Sequence, residues 1–421
     1  MPEKMRKPFL LLAILLTVYI FLTIGFALRI PEWQPYDEPW HFTYIDKLAR
    51  EKRMPTVQES TEVHQPPLYY AIMSLTVSKS TPYDGINARL RLTSLILGVF
   101  TLAAIFFAMI KLLNCDLHAA LVTLIIMNIP TLIACFSSIT NDSAAALFGA
   151  LAFLTLVHAR GKTSLAPHIL SGLFAALAML SKATCLFLIP TILLFYLLEN
   201  APLKKRLSTA AACLAAIGAA AGWWYLRNLI IYGDPTGSGE VLQMFEKNTA
   251  NLLLPQEFIR WNALLFHDFW NFQNFLRNKV PGYPSAADYF QLALSVLPLI
   301  GGALYFVRNK TLHLYCRGGF ETRPYFSAVT SIGWVFSAAL LFLWLEIFIN
   351  SFRVYMPTGR FLFPALVPIF YLWYRGVEFA LPKKAMTVLL VVAATASLAF
   401  NIYLLTVVLP PLAPMPFSAP F

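Results

Sequence analysis

Two neighbouring carboxylates, Asp37 and Glu38, interrupt the apolar start of the sequence just after the first hydrophobic run. A carboxylate at such a boundary is partly desolvated, which raises its pKa and makes it a better general base. An isolated Asp-Glu pair is more often a solvated turn, so a catalytic interpretation needs partner residues elsewhere in the chain. On that condition, Asp37 and Glu38 are candidate catalytic residues.

Four basic residues near the ends of apolar runs are the predicted partners, as binders of an anionic group: Lys182, Arg227, Arg353 and Arg360. An ionisable side chain in this position is costly and is usually paired or functional. An arginine at a helix start also opposes the helix dipole unless an anion accompanies it, and Glu346 or a phosphate are the two candidates. For Arg227 an alternative is a side chain that snorkels to the membrane surface. We expect the four cations to converge on one anion.

Polar and aromatic residues in the same outer segments are predicted to bind substrate: His41, His64, Tyr69, Tyr70, Asn141, Asp142 and Asn228. Simpler roles compete, because Asn141 and Asp142 are good helix caps and a lone histidine is more often a surface residue. Asp37, Glu38 and His64 offer oxygen and nitrogen ligands for a divalent metal such as Mg or Mn. No spacing demands a metal, and no cofactor is assigned.

The composition excludes most classes of soluble protein. Of 421 residues, 58% are hydrophobic and only 13% are charged, so the charged side chains are too few to solvate a large apolar surface. This excludes a secreted globular enzyme, a disordered scaffold and a nucleic-acid-binding domain.

A span of about 20 apolar residues crosses a bilayer. About eleven such runs predict an all-α polytopic membrane protein, near 8–28, 92–110, 118–136, 143–158, 168–180, 184–199, 207–226, 290–307, 327–349, 362–379 and 385–409.

The distribution of lysine and arginine predicts the orientation. In short loops the basic residues gather on the side of the N-terminus, which places that end in the cytoplasm and two long loops, about 29–91 and 227–289, on the outer face. We predict one domain over 1–421 in the plasma (inner) membrane, with a retained first span and no separate soluble domain. Trp40–Arg53 has the pattern of an interfacial helix whose basic residues reach lipid headgroups.

Five motifs together resemble the GT-C superfamily of membrane glycosyltransferases. They occur in family order, at Tyr36–His41, His64–Tyr70, Thr140–Ser143, Trp223–Asn228 with Tyr232–Pro235, and Gly359–Pro364. The chain is most similar to the glycosyltransferase family 39 branch that contains protein-mannosyltransferase-like and aminoarabinose-transferase-like enzymes. The resemblance implies a polyprenyl-phosphate sugar donor, a glycan, lipid or protein acceptor, and a site on the periplasmic or extracellular face. It also implies that Asp37 is the catalytic base, with Glu38 as a second acid.

The residues are compatible with this reaction. Cations at a poorly hydrated surface stabilise a phosphate leaving group, and a single displacement assisted by one base inverts the sugar carbon, by analogy with glycoside hydrolysis. Alternatives are a lipid-linked sugar flippase or small-molecule transporter, or a non-catalytic assembly subunit. Transporters usually place charges near the membrane midplane and contain internal repeats, whereas the charges here lie at the outer boundary.

Overall fold

Long apolar runs form helices throughout the part of the chain that the computed structural model describes, namely residues 3–35, 37–244, 250–271, 300–301 and 324–409. No β-strand occurs within these ranges. The predicted all-α class is confirmed.

Fifteen α-helices are labelled here in chain order. They are α1 (Glu3–Arg29), α2 (Glu38–Asp46), α3 (Leu68–Ser74), α4 (Ile86–Leu113), α5 (Asp116–Met127), α6 (Pro130–Phe136), α7 (Asp142–Ala159), α8 (Ala166–Ser181), α9 (Leu188–Leu198), α10 (Leu203–Tyr232), α11 (Gly239–Leu242), α12 (Pro255–Asn271), α13 (Pro324–Ser351), α14 (Leu366–Ala380) and α15 (Lys383–Tyr403). Short 3₁₀ helices cover Thr61–His64, Ala183–Phe187 and Gly359–Ala365, and π-helical turns cover Lys47–Glu51 and Leu404–Val408.

Among the described residues, six helices are long and apolar enough to cross a membrane: α1, α4, α7, α10, α13 and α15. Two predicted spans prove to be short helices, α8 and α9, and the tenth prediction corresponds to α14 with the 3₁₀ helix before it. The predicted span 290–307 lies almost wholly outside the described residues. The total of about eleven spans therefore stays a prediction, whereas a multi-pass membrane architecture agrees with the structure.

The third predicted span is a bent pair of helices. α5 and α6 meet at 71°, and the break falls where Ile129 precedes Pro130, since proline disfavours a helical conformation in the residue before it. A break inside a membrane frees backbone carbonyls that need a donor. Asn401 supplies one, because its Nδ2 donates to the carbonyl oxygen of Asn128 at 2.8 Å.

Part of the first outer loop packs against other segments of the protein. Tyr44 of α2 is fully buried and stacks on Tyr70 of α3, with ring centroids 3.7 Å apart. The basic side chains that were expected to reach headgroups pair with acids, for example Arg53 with Glu59 at 2.7 Å. The interfacial-helix prediction for Trp40–Arg53 stays a prediction, because Trp40 is 36% exposed whereas Tyr44 packs inside the protein.

Two glycines allow the 3₁₀ helix Gly359–Ala365 to sit deep in the bundle. A Cβ atom on Gly149 of α7 would lie 2.5 Å from the carbonyl oxygen of Pro364, and one on Gly359 would lie 2.0 Å from the backbone nitrogen of Phe269. The backbone N–H of Gly359 also donates to Asp268 Oδ2 at 2.7 Å. This segment is thus held between α7 and α12, which fixes the position of the next residue, Arg360.

Candidate active site

Four charged residues from distant parts of the sequence form a connected cluster, the Asp37–Arg360 cluster: Asp37, Asp142, Lys182 and Arg360. Arg360 donates from Nη2 to Asp37 Oδ2 at 3.0 Å, and its Nη1 lies 3.6 Å from Asp142 Oδ2. Lys182 donates from Nζ to Asp142 Oδ1. Two carboxylates and two cations therefore balance within one contact network.

Local backbone structure explains why each member points into the cluster. Asp142 is the first residue of α7, where the helix dipole favours a negative charge, and it accepts a hydrogen bond from Thr140 Oγ1 at 2.9 Å. Lys182 stands in the extended break between α8 and the following 3₁₀ helix. Its ammonium lies 4.6 Å from the ring centre of Phe361, a cation–π distance. Asp142 and Lys182 are both buried.

Asp37 is the accessible member of the cluster. Its side chain is 50% exposed, against 15% for Arg360. Burial of part of the carboxyl raises its pKa and is the largest single effect, but the charge and hydrogen bond of Arg360, together with the electrostatic effects of His41 and Lys182, lower the pKa of Asp37 overall. Asp37 is ionised at neutral pH and able to accept a proton.

The backbone of Asp37 is itself in an unusual conformation. Its φ of 64° places it in the left-handed region, as does the φ of 63° at Trp33. Residues other than glycine persist there only when surrounding contacts enforce the geometry. The contacts here come from Glu38, which accepts a hydrogen bond from the backbone N–H of Trp33 at 2.8 Å.

Glu38 does not share the solvent-facing position of Asp37. Its carboxylate is fully buried and forms a two-pronged ion pair with Arg91, with Nε and Nη2 at 3.0 and 2.9 Å. It also accepts from the backbone N–H of Ile139 at 2.9 Å and from Asn87 Nδ2 at 3.3 Å. This placement argues against the prediction of Glu38 as a second acid in the reaction, because its oxygens are occupied in joining the outer loop to α4 and to the α6–α7 connection.

A buried histidine, His41, lies close to Asp37 in the first part of α2. His41 follows Asp37 by one helical turn, and its Nδ1 lies 2.9 Å from the Tyr70 hydroxyl and 3.9 Å from Glu62 Oε2. Burial lowers the pKa of His41, although the neighbouring Glu62 opposes that change, so the imidazole is neutral. Tyr69 packs edge-on against His41 at a centroid distance of 6.1 Å.

His64 and Asn141 belong to a chain of hydrogen bonds through Gln65. The Nδ1 of His64 lies 2.8 Å from the carbonyl oxygen of Thr61, and its Nε2 lies 3.1 Å from Gln65 Nε2. Gln65 Oε1 in turn accepts from Asn141 Nδ2 at 3.1 Å, and that nitrogen also donates to the carbonyl oxygen of Ser181 at 3.2 Å. Burial lowers the pKa of His64 to about 4, so it is neutral, with its proton on Nδ1. This chain of hydrogen bonds ends at Ser181, the residue directly before Lys182.

Sequence reasoning did not single out Glu62 or Gln65. Both flank His64, which was predicted to bind substrate, but a single acid or amide in a polar stretch gives no signal of its own. Only the fold shows that the 3₁₀ helix Thr61–His64 turns Glu62 towards His41 and Gln65 towards Asn141.

The other predicted phosphate binders do not join the Asp37–Arg360 cluster through any described contact. Arg227 lies within α10, donates to Asn228 Oδ1 at 2.8 Å and stands 5.2 Å from the ring centre of Trp224. Its charge is close enough to Tyr44 to counteract the rise in the pKa of that hydroxyl caused by burial. Arg353 is exposed after the end of α13. The expected convergence of four cations is thus seen for two. Glu346 or a phosphate was the expected partner of Arg360, and its described anionic partners are Asp37 and Asp142.

The described residues contain no group of three or more side chains with the ligand types and proximity that hold a metal. Asp37, Glu38 and His64 do not come together, because Glu38 is engaged by Arg91 and His64 by Thr61 and Gln65. The donors present in the described part of the site do not fit the metal centre considered from the sequence.

An apolar cavity of about 250 Å³ lies beside the segment that carries Arg360. Its walls come from α12, α13 and α14, and Leu362 of the 3₁₀ helix contributes to the lining two residues from Arg360. Trp270, Trp344 and Trp373 supply broad apolar surfaces. The cavity is suited to an aliphatic chain whose polar end stands near the cluster.

Comparison with known proteins gives one family match and several structural matches. Residues 64–225 match the model of the dolichyl-phosphate-mannose-protein mannosyltransferase family, a GT-C family. This segment contains Asn141, Asp142 and Lys182. No curated protein matches the chain.

Three solved structures give the scale of the similarity. The oligosaccharyltransferase of Archaeoglobus fulgidus, tethered with an acceptor peptide containing the NVT sequon, matches with a TM-score of 0.53, 14% identity, and coverage of 97% of this chain and 56% of that chain. AglB from the same organism, in complex with an inhibitory peptide and a dolichol-phosphate, matches with a TM-score of 0.53, 12% identity, and coverage of 99% and 57%. ArnT from Cupriavidus metallidurans, bound to undecaprenyl phosphate, matches with a TM-score of 0.43, 16% identity, and coverage of 88% and 78%.

The chain therefore spans little more than half the length of the archaeal oligosaccharyltransferase that it resembles. At this identity the structural likeness establishes the fold. Together with the family match, it confirms the predicted resemblance to GT-C membrane glycosyltransferases.

Proposed function

We propose that this GT-C-like membrane protein is a glycosyltransferase that moves a sugar from a polyprenyl-phosphate donor to an acceptor hydroxyl. The acceptor is a glycan, a lipid or a protein, and the site lies on the periplasmic or extracellular face of the plasma (inner) membrane. The observation that carries the proposal is the contact of an accessible carboxylate, Asp37, with a largely buried cation, Arg360, two residues from Leu362 in the wall of an apolar cavity.

Asp37 is the proposed general base. The acceptor oxygen attacks the anomeric carbon, its proton passes to Asp37, and the bond from that carbon to the phosphate oxygen breaks with its electron pair. Lys182 and Arg360 stabilise the released polyprenyl phosphate, since charge-assisted contacts in a poorly hydrated site are strong. One displacement by one base inverts the sugar centre.

Donor binding and activation of the base are coupled in this scheme. Lys182 and Arg360 are already balanced by Asp142 and Asp37, so a donor phosphate competes with a carboxylate for a cation. The more exposed contact, between Arg360 and Asp37, is the one that yields. Asp37 then loses the charge that lowers its pKa and becomes a stronger base only when donor is present.

In this proposal the end of the polyprenyl chain nearest the phosphate enters the apolar cavity lined by α12, α13 and α14, because about 250 Å³ holds only part of such a chain. Leu362 connects the cavity to the cluster along the chain. The neighbouring residues His41, Tyr69, Tyr70, His64 and Asn141 surround the position of the sugar and the acceptor. Arg227 and Asn228 stand near Tyr44 at the edge of this region.

The test compares the glycans and lipids of the cell envelope, by mass spectrometry, in cells with and without the gene. We expect one sugar unit to be absent from an acceptor when the gene is missing, and its polyprenyl-phosphate donor to accumulate. If purified protein moves a labelled lipid-linked sugar between leaflets without transferring it, a flippase is the correct function. An unchanged envelope and an unchanged donor pool would contradict the proposal.

A further inference from the structure

The ends of α1 and α4 enclose a second cavity, of about 570 Å³, that shares no lining residue with the Asp37–Arg360 cluster. The connection after α1 closes one side of it through Pro31 and Glu32. α1, which ends at Arg29, and α4, which begins at Ile86, are both long and apolar enough to cross a membrane. The cavity therefore lies at the boundary between the apolar layer and the outer surface.

Its inner wall contains a buried acceptor that lacks a donor. Asn87 is 2% exposed, and its Nδ2 donates to Glu38, but its Oδ1 has no hydrogen-bond partner among the described residues. A buried carbonyl oxygen without a donor is unfavourable, so the site is incomplete as it stands. A ligand with an N–H or O–H group would complete it.

Arg91, the neighbouring cation in the wall, cannot act as the ligand's partner. Its guanidinium donates to Glu38 and to the backbone carbonyl oxygens of Ala27, Ile30 and Pro31, which caps the end of α1. The charges that remain at the surface of the cavity are those of Arg29 and Glu32, both exposed.

The apolar part of the lining faces outward. Leu28 is 80% exposed and Leu92 is 54% exposed, and both line the cavity. In a membrane, such residues contact acyl chains. The cavity thus combines an apolar side, one cation, one anion and one buried acceptor.

We infer that this cavity binds a glycerophospholipid whose headgroup joins a phosphate to a primary ammonium, as in phosphatidylethanolamine. The phosphate pairs with Arg29, the ammonium donates to Asn87 Oδ1 and pairs with Glu32, and the acyl chains lie along Leu28 and Leu92. The lipid is a bound ligand and not a substrate of the proposed transfer, so this site stands independently of that function. Its contact with Asn87 reaches Glu38, the residue next to Asp37.

The experiment is native mass spectrometry of the full chain in detergent, titrated with phosphatidylethanolamine, phosphatidylglycerol or phosphatidylcholine of identical acyl chains. Phosphatidylcholine retains the positive charge but has no N–H donor, and phosphatidylglycerol retains a donor but has no positive charge. We expect phosphatidylethanolamine to bind at least about tenfold more tightly than either, the value of one charge-assisted hydrogen bond.

Two variants locate the site. Arg29→Gln and Glu32→Gln should each weaken phosphatidylethanolamine binding about tenfold, whereas Lys79→Gln, which removes an exposed charge elsewhere in the same outer loop, should not. Equal binding of the three lipids would overturn the assigned headgroup. Unchanged binding by both the Arg29 and Glu32 variants would overturn the assigned cavity.

Discussion

Arg360 donates a hydrogen bond to Asp37 at 3.0 Å although the two residues are 323 positions apart in the sequence. The contact joins the beginning of the first outer loop to the 3₁₀ helix before α14. It pairs the most accessible acid of the cluster with a cation that also approaches Asp142. The proposed chemistry depends on this pair, because one member is to act as the base and the other is to hold the donor phosphate.

Removal of the positive charge should change the pH dependence of the reaction. In Arg360→Gln the pKa of Asp37 should rise, since Arg360 is the main influence that lowers it. We expect the acid limb of kcat/KM, which reports the base of the free enzyme, to move to higher pH, together with a large loss of kcat/KM. The measurement is a pH–rate profile with the donor found in the envelope comparison.

The free energy of unfolding should depend more strongly on pH in the native protein than in Arg360→Gln. A carboxyl with a lowered pKa in the folded state contributes stability above its unfolded pKa, about 3.9 for Asp, and this contribution is lost as the pH falls through the folded value. Between about pH 5 and pH 3, the range around the unfolded pKa of Asp, the native protein should therefore lose more stability than Arg360→Gln. Equal losses would contradict the ion pair.

Glu38→Gln should mainly affect folding. Breaking a buried ion pair leaves Arg91 with an uncompensated charge, which costs about 3–5 kcal/mol. We expect a clearly lower midpoint of thermal unfolding, and partial recovery in the double variant Glu38→Gln, Arg91→Met. Asp37→Asn should lower the midpoint much less, because Asp37 is half exposed and Arg360 keeps Asp142 as a partner. If Glu38→Gln unfolds normally but is inactive, the original prediction of a second catalytic acid is correct after all.

Two variants separate the structural effect of Lys182, which neutralises Asp142, from its proposed effect on donor binding. Lys182→Met leaves the buried Asp142 unpaired and should destabilise the protein by about 3–5 kcal/mol. The double variant Asp142→Asn, Lys182→Met removes both charges and should recover most of that stability. Donor use should remain low in both, because the cation is missing. Recovery of transfer in the double variant would mean that Lys182 only neutralises Asp142.

The two close backbone contacts around Arg360 predict unusual costs for small substitutions. Gly149→Ala should displace the backbone at Pro364 and destabilise the protein, although alanine ordinarily stabilises a helix by about 1 kcal/mol relative to glycine. Gly218→Ala is the matched control, because it lies in helix α10 with open space around its Cβ position. We expect opposite changes in thermal midpoint for the two variants, and changes of the same sign would contradict the packing.

The helical class and the interruption at Lys182 could be read from apolar runs, because each depends on local sequence. The contact between Asp37 and Arg360 could not, since nothing local relates residues at that separation. The burial of Glu38 could not be predicted either. Asp37 precedes α2 in the left-handed conformation and Glu38 is the first residue of that helix, so the neighbour of an accessible acid is fully buried.

Tertiary packing also determines which side chains of the first outer loop are buried, and the spacing of residues in the sequence does not show this. The spacing of Trp40, Tyr44 and Leu48 is typical of a helix on a lipid surface, but the same spacing allows packing against another protein segment. In the fold, Tyr44 packs against Tyr70. The acids that pair with the basic residues, such as Glu59, lie several residues away, where helical periodicity gives no information.

The most direct test of the account is transfer of the sugar by Asp37→Asn. The variant is produced in cells that lack the native gene, beside Asp84→Asn, which removes an exposed acid from the same loop as a control. We predict that the Asp37 variant inserts and unfolds like the native protein but leaves the envelope acceptor unmodified, while the control restores the modification. Normal modification by Asp37→Asn would contradict the central claim that this carboxylate is the base.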